Sequence, residues 1–196
     1  MINILIRTSE RPKAFKRCIE SIAAQTYRNV RLIVGNDNND SYCADYNPVR
    51  YKREIRTNHL IDNVLHFPYN SYLNDLLKQV QEGWVMILDD DDMFFNNRSL
   101  EFISRELGSN NRVVLWNVSV NGRIVPAQRK QIIKKDISMI GFCFHSKYIP
   151  LIHIAPYRQA DFRLVTLLYN ICTPVWINET LTQTQTDGGM GKRIDF

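Results

Sequence analysis

The chain has 196 residues, of which 44% are hydrophobic, and a formal net charge of +5 at pH 7. A chain of this length and composition suits one domain, whose core buries roughly 70% of the unfolded surface. Its apolar runs at 84–88 and 164–168 are far shorter than the roughly 20 residues that a membrane-spanning helix needs, which excludes an integral membrane protein.

Strands and helices alternate along the first half of the chain. Short apolar runs predict buried strands at residues 2–6, 30–34 and 84–88. Apolar residues at helical spacing predict one helix over 12–25, where Pro12 fits the first turn, and another over 72–80. Between these elements we expect a polar irregular segment at 40–62 and a short strand at 64–67.

The second half continues the alternation. A helix is predicted near 98–107 and a strand at 113–118, followed by a hairpin whose tip is Asn121-Gly122, the strongest short hairpin signal. A last helix over about 160–170 and a strand at 173–177 complete the predicted elements. The alternation predicts a single α/β domain with a mostly parallel sheet flanked by helices.

Acidic residues follow two of the predicted strands. Asp37 comes after the strand at 30–34, and Asp89 to Asp92 follow the strand at 84–88. In open α/β sheets ligands bind beyond the carboxyl ends of the strands, so we expect the two acidic loops to converge on one edge. Carboxylates packed this closely repel one another unless a cation or hydrogen-bond donors share the site, and they suit hard cations such as Mg²⁺ or Mn²⁺. A helix cap is the simpler alternative, but it does not require four aspartates.

Three stretches carry a family resemblance. They are ILIRTSERPKAFKRCIESIAAQTYRNVRLIVGND, YLNDLLKQVQEGWVMILDDDD and, more weakly, YRQADFRLVTLLY. The first is similar to the opening of family 2 glycosyltransferases with the GT-A fold, almost from end to end. The second resembles the strand that leads into that family's D-x-D motif. The third resembles the family's helix with the pattern E-D-x-x-L-x-x-R-L. The resemblance implies a Rossmann-like GT-A domain.

The resemblance also implies a donor site for a nucleotide sugar, most simply a UDP-sugar. Asp37 would accept a hydrogen bond from the nucleotide base, and Thr8 and Arg11 would line the base and ribose pocket. Asp90 would lie near the ribose or the sugar, and Asn74, on the family's asparagine-bearing helix, would join the same site. Residues 1–107 would therefore form the donor-binding half, and residues 108–196 the acceptor-binding half.

The chemistry that the resemblance implies is a single, inverting displacement. Asp89 and Asp91 would be the two acids of the D-x-D motif and would hold Mn²⁺ or Mg²⁺, with Asp91 as the direct ligand. Asp161 would act as general base on the acceptor hydroxyl. The chain departs from the family pattern twice, with Ala160 where a glutamate is usual and Gln185 near the place of a C-terminal histidine.

Two other functions are compatible with parts of the sequence. A sugar nucleotidyltransferase shares a related architecture, but it would want a glycine-rich loop after the first strand, and RTSERPK has no glycine. A non-catalytic module that binds nucleic acid would suit the positive charge, but no nucleic-acid-binding signature is present. The acceptor stays open between a glycan, a lipid-linked sugar and modified DNA.

The cysteines predict the compartment. Cys18, Cys43, Cys143 and Cys172 are scattered, with no CxxC pair and no zinc-site spacing. The apolar stretch at the N-terminus is too short for a signal peptide and has no basic residues before it. We therefore expect free thiols and a cytoplasmic location.

Overall fold

A computed structural model describes residues 1–51, 59–61, 64–127 and 131–185 of the chain. The strands in these ranges are β1 (Ile2–Thr8), β2 (Val30–Asn36), β3 (Val49–Arg50), β4 (His59–Ile61), β5 (Val64–His66), β6 (Trp84–Ile87), β7 (Asp92–Phe94), β8 (Arg112–Val120), β9 (Arg123–Val125), β10 (Phe142–His145) and β11 (Thr173–Thr184). The α-helices are α1 (Pro12–Ala23), α2 (Tyr72–Lys78), α3 (Ser99–Glu106) and α4 (Ala160–Ile171). None of these helices is long and apolar enough to cross a membrane.

One large sheet organises the fold, with its strands in the order β3-β2-β1-β6-β10-β8-β11-β7 and with β9 paired to β8. Strands β1, β2, β3, β6, β8 and β11 run in one direction, whereas β7, β9 and β10 run in the other. Strands β4 and β5 form a separate antiparallel pair. The predicted α/β domain with a mostly parallel sheet is confirmed.

Helices cover both faces of the sheet. Along β1, Ile4 and Ile6 point into the layer shared with α1 and α3, whereas Leu5 points into the layer shared with α2 and α4. The alternation follows from the two-residue period of a strand. Because both faces are buried, the central strands are continuously apolar, which is why their sequences predict them well.

Most predicted elements are present, with ends shifted by a few residues. The Asn121-Gly122 hairpin is confirmed: β8 and β9 pair across these two residues, whose φ angles of 50° and 80° fit a type I′ turn. Strands β7 and β10 have no counterpart in the sequence prediction, because both are short antiparallel strands; β10 lies inside the sheet and β7 at its edge. The prediction of an irregular segment at 40–62 is wrong in part, because β3 and β4 lie in it; its residues 52–58 and 62 lie outside the described ranges.

Strand β11 is longer than the predicted strand at 173–177. It runs parallel to β8, passes two irregularities between Ile177 and Thr182, and then pairs antiparallel with β7. This extension carries the chain to Gln185, directly beside the acidic run that joins β6 to β7. The local sequence does not predict this path because the irregularities interrupt the alternation of apolar residues.

Candidate functional site

The acidic run forms a turn at the carboxyl end of β6. Backbone hydrogen bonds hold this turn against the end of β1: Leu88 N donates to Leu5 O at 3.0 Å, and Asp90 N donates to Arg7 O at 3.3 Å. Asp92 N closes the turn on Asp89 O at 2.9 Å. The four aspartates therefore lie where the sequence predicts them, at the edge of the sheet where parallel strands end.

Two arginines face this acidic turn. Arg7, on β1, binds Asp89 through both arms of its guanidinium, with Nε at 2.8 Å from Oδ1 and Nη2 on Oδ2. Arg11, just before α1, binds Asp90 with Nε at 3.1 Å from Oδ2 and Asp91 with Nη1 at 2.9 Å from Oδ2. Charge-assisted pairs of this kind are stronger than neutral hydrogen bonds, so the two arginines hold the carboxylates in fixed positions.

Burial divides the four carboxyl groups into two pairs. Asp90 is completely buried, and burial raises its pKa to about 8, although the Arg11 charge opposes this rise. Burial also raises the pKa of Asp92, and the neighbouring carboxylates add to the effect. The side chains of Asp89 and Asp91 remain 17% and 16% exposed. Asp89 and Asp91 are therefore the two acids that a ligand can reach.

These two acids fit a divalent cation only with help from a ligand. The described part of the chain contains no group of three His, Cys, Asp or Glu side chains that could hold a metal ion by itself. Mg²⁺ is commonly bound by one or two carboxylates together with substrate phosphates. Asp89 and Asp91 match that arrangement, with the diphosphate of a nucleotide completing the coordination. The cation would compete with Arg7 and Arg11 for the same oxygens.

The loops after β1 and β2 lie at the same edge. Asn36 Nδ2 donates to Thr8 O at 3.1 Å, and the hydroxyl groups of Thr8 and Tyr42 are 2.9 Å apart. Asp37 follows Asn36 directly and is buried. The fold therefore brings Thr8, Arg11 and Asp37 to the edge that carries the acidic turn, as predicted. Their contacts with a nucleotide stay a prediction.

Asn74 makes a different contact in the structure. Both ends of its amide bind Ile154: Nδ2 donates to the carbonyl at 2.9 Å, and Oδ1 accepts from the backbone N–H at 2.8 Å. This pair ties α2 to the segment before α4. Its predicted role in donor binding stays a prediction, and the structure gives the side chain a structural role.

Asp161 lies in the first turn of α4 and lines a cavity of about 280 Å³. Its Oδ1 accepts from Phe162 N at 2.7 Å. Burial raises its pKa despite this hydrogen bond, which favours the charged form. Arg7 lines the same cavity. The arginine that binds the D-x-D acid Asp89 thus lines the same cavity as the predicted base.

Arg7 and Gln185 are site residues whose roles the sequence analysis missed. A charged residue inside the apolar run of β1 was a signal, because a buried charge needs a partner. Gln185 donates from Nε2 to Asp90 O at 3.1 Å and to Ala14 O at 3.3 Å, and from its backbone N to Asp91 O at 2.8 Å. Gln185 therefore fixes the backbone of the acidic turn against α1.

Comparison with known proteins identifies the family. The model of the family described as "Glycosyl transferase family 2" matches residues 4–165. The chain belongs to glycosyl transferase family 2. A comparison with curated protein sequences gives no significant match.

Solved structures of other glycosyltransferases share the fold of this family 2 chain. S. aureus TarS (residues 1–349) is 17% identical, with a TM-score of 0.67 over 94% of this chain and 60% of that one. Its complex with UDP-GlcNAc gives 18% identity and a TM-score of 0.63, over 97% of this chain and 60% of that one. The mannosyltransferase PcManGT from Pyrobaculum calidifontis, in complex with GDP-Man and Mn²⁺, is 14% identical. Its TM-score is 0.66, over 97% of this chain and 58% of that one. The chain thus has the GT-A fold and spans at most about 60% of the length of these three structures.

The burial of Asp90 predicts a pH dependence of stability. Its pKa rises from 3.8 to about 8 on folding, so this carboxyl adds stability below about pH 4 and loses it as the pH rises through 8. Asp90→Asn cannot titrate. We expect the unfolding free energy of Asp90→Asn relative to the unsubstituted protein to increase by more than ~1 kcal/mol between pH 5 and pH 8.

Urea unfolding of both proteins across this pH range measures that difference. A difference that stays constant or decreases with pH would show that Asp90 is ionised in the folded protein throughout.

Proposed function

We propose that the chain is a metal-dependent, inverting glycosyltransferase that transfers a sugar from a nucleotide sugar, most simply UDP-linked, to an acceptor hydroxyl. One observation carries the proposal: Arg7 pairs with Asp89 of the acidic turn and lines the cavity that Asp161 also lines. A cavity that contains a carboxylate base, and whose lining includes the arginine bound to the acidic turn, suits group transfer. Family membership argues against a nucleotidyltransferase and against a nucleic-acid-binding module.

The donor would bind along the edge formed by the loops after β1, β2 and β6. In this proposal Asp37, Thr8 and Arg11 contact the base and ribose, and Asp90 lies near the sugar. UDP is supported by TarS, whose structure contains UDP-GlcNAc, although the mannosyltransferase contains GDP-Man. Asn74 would act on this site from α2, through the segment that it holds at Ile154.

Asp89 and Asp91 would hold Mn²⁺ or Mg²⁺ together with the diphosphate. The cation stabilises the negative charge that develops on the departing nucleoside diphosphate. The Mn²⁺ in the mannosyltransferase complex supports this choice. Arg7 and Arg11 keep the two acids oriented before the donor arrives, and they remain beside the diphosphate as further positive charges.

Asp161 would take the proton of the acceptor hydroxyl as that oxygen attacks the anomeric carbon. Among the described residues that line the cavity it is the one carboxylate, so the lining offers a base but no second acid for a double displacement. A single displacement inverts the anomeric centre. The raised pKa of Asp161 brings the base closer to neutral pH, which favours proton transfer.

The two halves of the chain would bind different substrates. Residues 1–107 would hold the donor, and residues 108–196 would supply the acceptor side, where α4 presents Asp161. A cytoplasmic location is supported by Cys18, Cys43, Cys143 and Cys172, all of which are free thiols.

The metal role of Asp91 predicts cation-dependent binding of UDP. Asp91→Asn should weaken UDP binding in the presence of Mn²⁺ at least tenfold, about 1.4 kcal/mol, because an amide is a poorer ligand for a hard cation. Calorimetric titration of UDP in the presence of Mn²⁺ and in the presence of EDTA measures the UDP affinity with and without the cation. Asp75→Asn, at an exposed carboxylate of α2 paired with Lys78, is the control and should bind UDP normally. Equal UDP affinity in Mn²⁺ and in EDTA would refute the metal role.

The base role of Asp161 predicts loss of transfer without loss of donor binding. Asp161→Asn keeps the oxygen that accepts from Phe162 N but cannot take a proton, so the transfer rate should fall by roughly 10²–10⁴. UDP release from the donor sugar measures the rate, and calorimetry measures UDP affinity.

Asp161→Ala separates this role from helix capping. The alanine variant also loses the hydrogen bond to Phe162 N and should lower the unfolding free energy by roughly 0.5–2 kcal/mol, whereas the asparagine variant should not. Near-normal transfer by Asp161→Asn would mean that Asp161 only stabilises the first turn of α4 and that another group is the base.

A further inference from the structure

The cavity beside α4 has walls of mixed chemistry. Tyr69 contributes a partly exposed aromatic face, Arg7 and Arg158 contribute guanidinium groups, and Asp161 contributes a carboxylate. At about 280 Å³ the cavity has room for a ligand of the size of one sugar ring. An aromatic face with charged groups around it suits a polar ring that carries its own charge.

The charges of the cavity do not balance. Arg7 is neutralised by its two-armed pair with Asp89. Arg158 lies over the ring of Phe67, with its guanidinium carbon 5.8 Å from the centroid, and it forms no ion pair within the described ranges. Asp161 is the only acid of the described lining, and it is committed to the proposed proton transfer. Among the described residues, Arg158 is thus a cation of the cavity without an acidic partner.

The backbone around Arg158 is firmly held. Tyr157 O accepts from Asn70 Nδ2 at 3.1 Å and from Arg163 Nη2 at 2.9 Å, and Arg163 also donates to Arg158 O. The next residue, Gln159, has a φ of 63°, a left-handed conformation that costs a non-glycine residue free energy. Such conformations persist where surrounding contacts impose them, and they are concentrated at functional sites. These contacts therefore fix the backbone from which the exposed Arg158 side chain extends.

We propose that the cavity binds an acceptor that carries a phosphate or carboxylate group, and that Arg158 is the residue that binds this anion. The sugar or polyol of the acceptor packs against Tyr69, with its hydroxyl facing Asp161. The planar guanidinium matches the geometry of both anions and binds them through two hydrogen bonds. This inference rests on the proposed function and names the class of its acceptor.

Binding of matched neutral and anionic sugars tests the inference. The protein is first saturated with UDP and Mn²⁺, which fills the donor site, and is then titrated with glucose, glucose 6-phosphate, glucuronate or inorganic phosphate by NMR. We expect glucose 6-phosphate and glucuronate to bind at least tenfold more tightly than glucose. Inorganic phosphate should bind more weakly than glucose 6-phosphate, because it lacks the ring that packs on Tyr69.

Three variants assign the preference to Arg158. Arg158→Gln should abolish the preference for anionic sugars. Arg158→Lys keeps the charge but cannot form two parallel hydrogen bonds to one anion, so it should retain part of the preference. Arg105→Gln makes the same charge change on α3, which packs on the other face of the sheet, and should leave the preference intact. Unchanged UDP affinity in all three variants shows that the fold and the donor site are preserved.

Several outcomes would overturn the inference. They are equal binding of glucose and glucose 6-phosphate, no binding of either anionic sugar, an unchanged preference in Arg158→Gln, and inorganic phosphate binding as tightly as glucose 6-phosphate. UDP binding in the first step is a separate result. Failure of UDP to bind would count against the proposed function, whereas failure of sugar discrimination on UDP-loaded protein counts only against the anionic acceptor.

Discussion

Charge neutralisation at the carboxyl end of β6 is the interaction on which the site depends. Four consecutive aspartates can form a partly buried turn because Arg7 and Arg11 bind three of them and burial shifts Asp90 and Asp92 towards their neutral forms. Without the arginines, carboxylates this close together would repel one another and would have to turn outwards into water. Removing one partner from a buried ion pair costs about 3–5 kcal/mol because the other charge is left unpaired, so loss of either arginine would destabilise the turn.

The same pairs connect the acidic turn to the rest of the molecule. Arg7 reaches from Asp89 to the carbonyl of Tyr69 at 3.1 Å, so the turn, the segment before α2 and the cavity share one side chain. On the opposite side, Gln185 at the end of β11 holds the turn through its backbone. Gln185 thus positions the acids of the turn. Its amide has no charge with which to bind a metal or diphosphate.

The sequence predicted the parts of the fold that follow from local pattern. β1, β2 and β6 are buried on both faces and are therefore continuously apolar, and α1 has apolar residues at helical spacing. β10 could not be predicted in this way, because a four-residue antiparallel strand has too little sequence to show a period and is fixed by its neighbours β6 and β8.

The site was predictable to the same extent. Thr8, Arg11, Asp37 and the acidic turn follow strands whose ends meet at one edge, so the sequence located them. The partners of the acids were not predictable, because the contacts of Arg7 with Asp89 and of Gln185 with Asp90 span more than 80 residues and depend on the three-dimensional path. Arg158 gives no signal in the sequence, since its importance comes from its position in the cavity lining without an ion pair to any described acid.

The central claim is that Asp91 exchanges its partner Arg11 for a cation shared with the donor diphosphate. A crystal structure of the UDP complex grown with Mn²⁺, with anomalous scattering measured at the manganese edge, tests it most directly. The account predicts an anomalous peak roughly 2–2.5 Å from a carboxylate oxygen of Asp91 and from the diphosphate of UDP, with Arg11 displaced from Asp91. UDP bound without a manganese peak at the turn, and with the Arg11 contact to Asp91 intact, would contradict the account.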